Sequence, residues 1–524
     1  MKRQILTVIF AIGIGSLSGS AQVRDLVFTN RAEQELFYRW DTTKTIDRDI
    51  LECLLLAEGM PDQLSRNREW LASLEEEVKD IVRLEDSPLS KGEKLYAFVH
   101  ERVLRKYSGV ASAASLMTIG EYSCVTSTAL YYHLGRVVGL PVIFHATPFH
   151  VCPVIEHEGK RIWVELTQPR DGFDIEFHQD ELVEWLLEQK LATEEELQQK
   201  GEDIVYNDFI HGHYQSSVAA ILGYHYYNFA LKLYELGKRE ESFWALAKAS
   251  TLEGQDKMIE EVFDESFRIL SSLPRISTSY SKASSTYFKL RGRDTTVVVD
   301  GLTSVREGVE NLLQTQRDLE QADSVQWMLE RVLPKSPLVE RPLAELRQFI
   351  SVNKGLELNR KGRYHESFNV ISGELEKDIT NGKLQDIYVT VGMAYVQKLL
   401  MNGDDELAIA TMDSMRKKVP EYAELRDAYS RILVSSIMTS GKYRTSPLKA
   451  RESLMKAFEM DSTNMYVRES LGAVHHELAM SEIRKSKWQS ARRFVTQGLR
   501  FAPGNEVLRS DLELLEKELR KSKK

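Results

Sequence analysis

The chain has 524 residues and carries 69 lysines and arginines against 78 aspartates and glutamates, a formal net charge of −9. A chain of this length is longer than a typical domain with a single hydrophobic core. The excess of acidic residues argues against nucleic acid as the main partner. The three cysteines, Cys53, Cys124 and Cys152, are too few for a disulfide scaffold or a four-cysteine zinc site. At least one thiol is therefore free or pairs outside the chain, and a Cys53–Cys152 disulfide would leave Cys124 free.

Residues 1–21 have the pattern of a secretory signal peptide. Lys2 and Arg3 precede an apolar run from Ile5 to Ile14, and small residues then allow cleavage before Gln22. The apolar run is about half of the roughly 20 residues that a membrane-spanning helix needs. We therefore expect an exported protein, periplasmic or secreted, with no stable membrane insertion after the signal is removed.

The next part of the chain is predicted to combine helices with a β-hairpin. Apolar residues recur at helical spacing through residues 25–106, and Cys124 opens a further helical run that stops near Gly139. Residues 142–155 and 161–167 then alternate as strands of a hairpin do. This pattern predicts an α+β domain with a helical lead-in over residues 22–215.

Residues 216–524 are predicted to form an all-α helical repeat array, with a possible strand at Thr295 to Asp300. Small residues recur at the spacing of tetratricopeptide repeats, where they let paired helices approach closely. The fullest match is Ala479, Ala491, Val495, Gly498 and Pro503. Further matches begin at Ala230 and Ala408, a weaker one lies at Gly355, and Ala450 suggests another. Such an array presents a surface for a protein partner. The alternative is a non-repetitive helical domain, and His475 and His476 are interpreted as exposed polar residues of a helix.

The chemistry of the chain is predicted to centre on Cys124. The first turn of a helix presents unpaired N–H groups and the positive end of the helix dipole, which favour a thiolate. His150 and Glu165 lie on successive predicted strands and can serve as the base and the orienting carboxylate. Thr167 is the alternative third member. Tyr122 is either a support for a developing oxyanion or a core aromatic residue.

The motif around this cysteine resembles the transglutaminase-like cysteine-peptidase superfamily. The resemblance lies in Cys124-Val-Thr-Ser-Thr-Ala129, Leu134-Gly-Arg136 and Gly139-Leu-Pro141, and it extends over roughly residues 90–175. It implies a transglutaminase-like N-terminal domain with Cys124 as nucleophile and His150 as base. It also implies that Glu165 stands where the family has an aspartate, while Tyr122 replaces a common glycine.

Two functions follow from these expectations. The first is an exported, cysteine-dependent enzyme of transglutaminase-like type that forms a thioester at an amide carbonyl of a protein or peptide substrate. Hydrolysis and transamidation both remain open, and the repeats would recruit the substrate or a protein partner. The alternative is a non-catalytic scaffold or binding protein on a degenerate version of that fold. No phosphate-binding loop, dinucleotide motif or metal-ligand spacing is present, so we expect no cofactor and no metal.

Overall fold

The computed structural model describes residues 23–147, 150–167, 173, 183–184, 186–187, 192–206, 214–215, 217–253, 256–292 and 294–521. The predicted signal at residues 1–21 lies outside this part of the chain. The α-helices are Arg31–Thr43, Ile50–Ala57, Leu64–Ile81, Pro88–Arg102, Ala113–Ile119, Cys124–Val137, Glu194–Lys200, Val218–Glu235, Arg239–Leu252, Lys257–Ser272, Tyr280–Arg291, Thr295–Glu310, Leu319–Val332, Pro337–Arg360, Tyr364–Lys377, Gly382–Asn402, Asp405–Lys418, Ala423–Thr439, Lys442–Thr445, Pro447–Met460, Met465–Arg484, Trp488–Phe501 and Glu506–Lys521.

The strands of the described chain are few and short. They are β1 (Lys106–Tyr107), β2 (Glu121–Tyr122), β3 (Val142–Thr147), β4 (His150–His157), β5 (Lys160–Trp163) and β6 (Tyr214–Gln215). Strands β1 and β2 form a parallel pair, and the other four form one antiparallel sheet in the order β5-β4-β3-β6.

The predicted fold class, an α+β protein with a transglutaminase-like N-terminal domain, is therefore wrong. The described chain is predominantly helical, and its strands have between two and eight residues. The alternation in residues 142–167 does produce strands, but they are a small element among many helices. The possible strand at Thr295 to Asp300 is also wrong, because these residues begin the helix Thr295–Glu310. Its valines pack against neighbouring helices, and such packing overrides the local preference of β-branched residues for strands.

The chain divides into two compact units, Met1–Arg347 and Gln348–Lys524. The first unit thus groups the helix that begins at Cys124 with helices that follow residue 217. The domain boundary that the sequence suggests between residues 215 and 216 stays a prediction.

The first unit encloses the helix Cys124–Val137, called here the cysteine helix. This helix packs against the three helices that end at Ala57, Ile81 and Arg102 and against strands β3 and β4. The Tyr131 hydroxyl donates to the Gly92 carbonyl at 2.9 Å, and the Thr128 hydroxyl donates to the Val151 carbonyl of β4 at 3.1 Å. Both bonds are buried, so they fix the cysteine helix relative to the sheet and to a neighbouring helix.

A buried ion pair joins the start of the first unit to its later helices. Lys248 Nζ and the Tyr226 hydroxyl each lie 2.6 Å from one carboxylate oxygen of Glu33. The other carboxylate oxygen accepts from the backbone and the hydroxyl of Thr29, at 2.6 and 2.8 Å. Nearby, the Thr286 hydroxyl donates to the carbonyl of Asp25 at 3.2 Å. The first residues of the described chain are therefore held on helices that come about 200 or more residues later.

The second unit consists of helices that pack on their neighbours in the chain, with small residues at the close approaches. A Cβ added at Gly355 would lie 2.5 Å from Ile371, and one added at Gly498 would lie 2.8 Å from the Cβ of His475. Ala479 and Ala491 are fully buried. These are positions that the repeat pattern selects, so the prediction of helical repeats is confirmed for this unit.

One interpretation in the second unit is wrong. His475, expected to be exposed, is 0% exposed, and its ring lies beside Phe494 and Phe501. His476 is partly exposed instead, with Nδ1 2.5 Å from Asp511 Oδ2. Of two adjacent histidines on a helix, the sequence alone does not say which one faces the core.

No helix in the described part of the chain has both the length and the apolar content that crossing a membrane requires.

Candidate functional site

The cysteine helix begins at Cys124 because the two residues around it form a reciprocal cap. Ser123 has an extended backbone, and its side chain accepts from the Thr126 N–H while the Thr126 side chain accepts from the Ser123 N–H. This capping box satisfies backbone donors at the helix start and fixes the position of the first turn. Cys124 is consequently held at the N-terminus of the helix, and it is 7% exposed.

His150 lies between Cys124 and Glu165. It starts strand β4, and its Nε2 is 2.7 Å from Glu165 Oε2. A hydrogen bond also joins the ring to Cys124. Burial disfavours the charged ring, but the bonds to Cys124 and Glu165 and the charge of Glu165 outweigh it and raise the pKa of His150 to about 10. The structure thus brings together the three residues predicted from the sequence.

Thr167 contacts Glu165 and not the imidazole. Its backbone N–H lies 2.6 Å from Glu165 Oε1, and its hydroxyl donates to the same oxygen. Burial would raise the pKa of Glu165, but the bonds from His150 and Thr167 lower it. Glu165 is therefore the carboxylate that holds the ring, and Thr167 orients Glu165.

Two tyrosines border the thiol. Tyr122 is 3% exposed and ends strand β2, two residues before Cys124, while its neighbour Tyr107 on β1 is 47% exposed. Their ring centroids are 5.8 Å apart in an edge-on arrangement. Burial, and then electrostatic interactions with Cys124 and Glu165, raise the pKa of Tyr107. Tyr122 was singled out from the sequence. Tyr107 was not, because its proximity depends on the pairing of β1 with β2.

A second histidine, His100, lies near the same carboxylate. Burial lowers its pKa, and the charge of Glu165 opposes that shift. Its Nε2 is enclosed and makes no hydrogen bond within the described residues, while its ring packs edge-on against Tyr96 at 4.6 Å. His100 lies in the last turn of the helix Pro88–Arg102. No feature of the sequence around His100 predicts that this residue lies near Glu165.

The other cysteines are packed in the interior. All three cysteines are free and buried, so no bond joins Cys53 to Cys152. Burial, followed by electrostatic interactions with Glu165 and Cys124, raises the pKa of Cys152 well above its usual value. Cys152 packs with Val154 and Trp163 in a small apolar cluster. Its thiol is therefore neutral, whereas Cys124 has an imidazole partner.

In this arrangement His150 can accept a proton from the Cys124 thiol, and the Glu165 carboxylate orients the His150 ring. This is the set of groups that thiol-based nucleophilic attack requires. Among the described residues there is no cluster of three or more histidine, cysteine, aspartate or glutamate side chains that could hold a metal ion.

No protein-family model matches the chain, and no curated protein matches it. Similar solved structures include the P58(IPK) TPR domain, with 14% identity over 66% of this chain and 98% of that one and a TM-score of 0.18. A tetratricopeptide repeat protein from Parabacteroides merdae has 12% identity over 56% and 98%, with a TM-score of 0.16. The APC/C hetero-tetramer Cut9-Hcn1 has 13% identity over 65% and 84%, with a TM-score of 0.16.

The TM-scores of these neighbours are low, so their similarity to this chain carries no argument about its fold or function. None of these comparisons supports a transglutaminase-like domain or a cysteine peptidase, and those two predictions are corrected together with the fold class. The helical repeats are identified by the packing of paired helices around Gly355 and Gly498. The second unit thus contains helical repeats whose paired helices approach closely at small residues.

Proposed function

We propose that this protein is a scaffold or binding protein whose helical repeats hold a protein partner. The packing of neighbouring helices through small residues in the second unit carries the proposal, because stacked repeats present extended surfaces to partners. That unit also exposes large apolar side chains. Met465 and Tyr466, in the first turn of one helix, are 72% and 70% exposed. A partner that covers them would remove apolar surface from water.

The test is to change these two residues in the full-length protein. A partner captured with the unaltered chain is purified, and its affinity is measured for the double variant Met465→Ser, Tyr466→Ser. We expect a loss of about tenfold or more, since a buried aromatic anchor contributes roughly 2 kcal/mol to an interface. Leu84→Ser, at a 74% exposed position of the first unit, is the matched control. Equal affinities for all three chains would exclude this surface as the binding site.

A second candidate function is cysteine-dependent acyl transfer, and one observation favours it. The His150 ring hydrogen-bonds both Cys124 and Glu165, with the Glu165 contact at 2.7 Å. With a pKa of about 10 the ring holds a proton at neutral pH and carries the positive charge that a Cys124 thiolate needs beside it. Glu165, oriented by Thr167, keeps the ring in place.

The proposed reaction begins when the Cys124 thiolate attacks a carbonyl carbon and forms a tetrahedral adduct. His150 gives its proton to the leaving amine or alkoxide as the carbon–leaving-group bond breaks, and a thioester remains. An incoming water or amine then loses a proton to His150 while attacking the thioester. The new acyl bond forms, and Cys124 departs as thiolate. Water gives hydrolysis and an amine gives transamidation.

A chromogenic acetate ester tests this second function. The acyl group should appear on Cys124 as an acetyl adduct, located by peptide mass mapping, with a burst of released phenolate. His150→Ala should slow acylation by about 100-fold or more, as expected for loss of a general acid–base group. Cys152→Ala should leave the rate unchanged because that thiol is neutral and packed. Acylation that is equally fast in the His150→Ala variant would refute the mechanism.

Export is part of the proposal as well. It is supported by the basic start, the short apolar run and the small residues before Gln22. The mass of the protein recovered outside the cytoplasm should correspond to a chain that begins at Gln22. Recovery of the intact chain from the cytoplasm alone would contradict export.

A further inference from the structure

The turn that precedes the helix Trp488–Phe501 is strongly basic. Residues 484–493 include five lysines and arginines and no aspartate or glutamate, although the whole chain has a net charge of −9. The five side chains are all exposed, and they are Arg484, Lys485, Lys487, Arg492 and Arg493. Lys485 pairs with Glu482 at 2.9 Å, and Arg492 lies 3.6 Å from Glu516. The other three form no salt bridge within the described part of the chain, so their charges are available to a ligand.

A groove in the second unit opens beside this turn. Its volume is about 510 Å³, and Lys487, Trp488 and Arg493 line it together with Leu519 of the helix Glu506–Lys521. Trp488 is partly buried, because it packs on the apolar cluster of the last three described helices. Part of the indole is therefore fixed in the core, while another part lines the groove. The groove thus combines apolar surface from Trp488 and Leu519 with the charges of a lysine and an arginine.

We propose that this groove binds an acidic segment of a protein partner. The segment places an apolar side chain against Trp488 and Leu519, and it places carboxylates beside Lys487 and Arg493. The unpaired guanidinium of Arg493 offers a carboxylate two parallel N–H donors, and covering the indole removes apolar surface from water. Charge complementarity determines the chemistry of the partner, because the residues that line the groove include two cations and no carboxylate.

A short acidic segment matches the groove better than nucleic acid or a membrane surface does. Nucleic acids and anionic membranes carry negative charge well beyond the dimensions of one groove. Next to the groove, the helix Glu506–Lys521 presents Glu513 and Glu516 among its cations, and the whole chain is acidic. An extended polyanion would be repelled by these carboxylates, whereas a segment of a few residues would contact only the groove.

This site goes beyond the partner surface proposed above. Met465 and Tyr466 begin the helix Met465–Arg484, and the basic turn follows the other end of that helix. With 20 residues the helix is roughly 30 Å long, so the two surfaces are separate. The second unit can therefore bind protein segments at both sites at once.

The experiment measures the binding of a fluorescently labelled pentapeptide to the full-length protein. The peptide has one leucine with two aspartates on each side, and we expect saturable binding that weakens as salt is added. Asparagine in place of every aspartate should weaken binding by about tenfold or more, and serine in place of leucine by about three- to tenfold. Arg493→Glu should weaken binding of the acidic peptide by about tenfold or more. The same variant should bind a peptide with lysines in place of the aspartates more tightly than the unaltered chain does.

Arg431→Glu is the matched control. Arg431 belongs to the same unit, its side chain is 62% exposed, and it does not line the groove. Its reversal changes the net charge of the chain as much as Arg493→Glu does, and it should alter the affinity by less than about twofold. Equal losses in the two variants would overturn the proposal, because they would indicate attraction to the overall charge and not to the groove.

Three further measurements decide the occupant and separate this site from the partner surface. No saturable binding at about 1 mM peptide would overturn the proposal. Binding of a single-stranded oligonucleotide or of phosphatidylserine vesicles that Arg493→Glu abolishes, with no binding of the peptide, would overturn it as well. The double variant Met465→Ser, Tyr466→Ser should bind the peptide as the unaltered chain does, so the two binding surfaces can fail independently.

Discussion

His150 and Glu165 are in contact across strands β4 and β5, with Nε2 and Oε2 2.7 Å apart. His150 has the first position of β4, and Glu165 follows the end of β5 by two residues. The hairpin therefore places base and carboxylate at the same end of the sheet, next to the first turn of the cysteine helix. The contact has a measurable consequence for stability.

Alkaline pH should destabilise the first unit through His150. Its folded pKa of about 10 exceeds the usual value of 6.5, so the folded state binds the proton more tightly. This contribution is fully present below pH 6.5 and is lost as the pH rises through about 10, with a magnitude on the order of 5 kcal/mol. Urea unfolding between pH 6.5 and 10 measures it. His150→Gln should flatten the decline, whereas His157→Gln, at the other end of β4, should not. A decline of the same size in His150→Gln would contradict the assignment.

Removing the lysine of the buried pair should strongly destabilise the first unit. Lys248 and Glu33 are 4% and 0% exposed at their side chains, so Lys248→Met leaves an uncompensated carboxylate inside. We expect a loss of about 3–5 kcal/mol in the free energy of unfolding, with partial recovery when Glu33→Gln is added. Lys257→Met is the control, because its pair with Glu261 is exposed. That change should cost no more than about 1 kcal/mol. Equal losses at both lysines would argue against the buried pair.

Two helical glycines of the second unit should respond oppositely to alanine. A Cβ at Gly498 would lie 2.8 Å from both the His475 Cβ and Leu508 Cδ1, while a Cβ at Gly373 meets nothing within 4 Å. Gly498→Ala should therefore destabilise the unit by about 1–2 kcal/mol through overpacking. Gly373→Ala should stabilise it by about 0.5–1 kcal/mol through helix propensity. Thermal and urea unfolding measure both. Stabilisation by both changes would show that the helices do not approach closely at Gly498.

Acid should destabilise the second unit through His475. Burial, together with the positive charge of Arg451, lowers the pKa of His475 from 6.5 to about 4. The unfolded chain therefore takes up the proton first, and stability falls as the pH drops from 6.5 through 4, by on the order of 3 kcal/mol. His475→Leu should reduce this dependence, and His476→Gln should leave most of it. Unfolding curves at pH 4, 5 and 6.5 provide the comparison, and an unchanged dependence in His475→Leu would refute the assignment.

Local patterns predicted some elements well. The helix that starts at Cys124 follows from its capping residues and its apolar spacing, and the strands that carry His150 follow from alternation. Alternation also places Glu165 near the end of the hairpin, which is why the three site residues could be selected together. These features depend on neighbours within a few residues or on one hairpin.

The remaining features depend on contacts that no local pattern contains. Glu33 and Lys248 are 215 residues apart, and no local pattern indicates that they pair. Tyr107 comes near Cys124 only because β1 pairs with β2 across a short helix. The fold class was wrong because a cysteine motif and one hairpin were extended to a whole domain. Most of the described residues of that region, and nearly all of the described residues after it, are helical.

The Glu33–Lys248 pair also bears on how the thiol should be studied. A fragment cut after residue 215 looks like a convenient reagent, since it retains Cys124, His150 and Glu165. It would lack Lys248 and Tyr226, so Glu33 would lose two of its hydrogen-bond partners. The core around Glu33 would then be exposed to water. If such a fragment showed no reactivity, the cause would be the disrupted core around Glu33. The result would not show that Cys124 is unreactive in the full-length protein. The proposed reactivity of Cys124 should therefore be measured on a chain that includes the helix Arg239–Leu252.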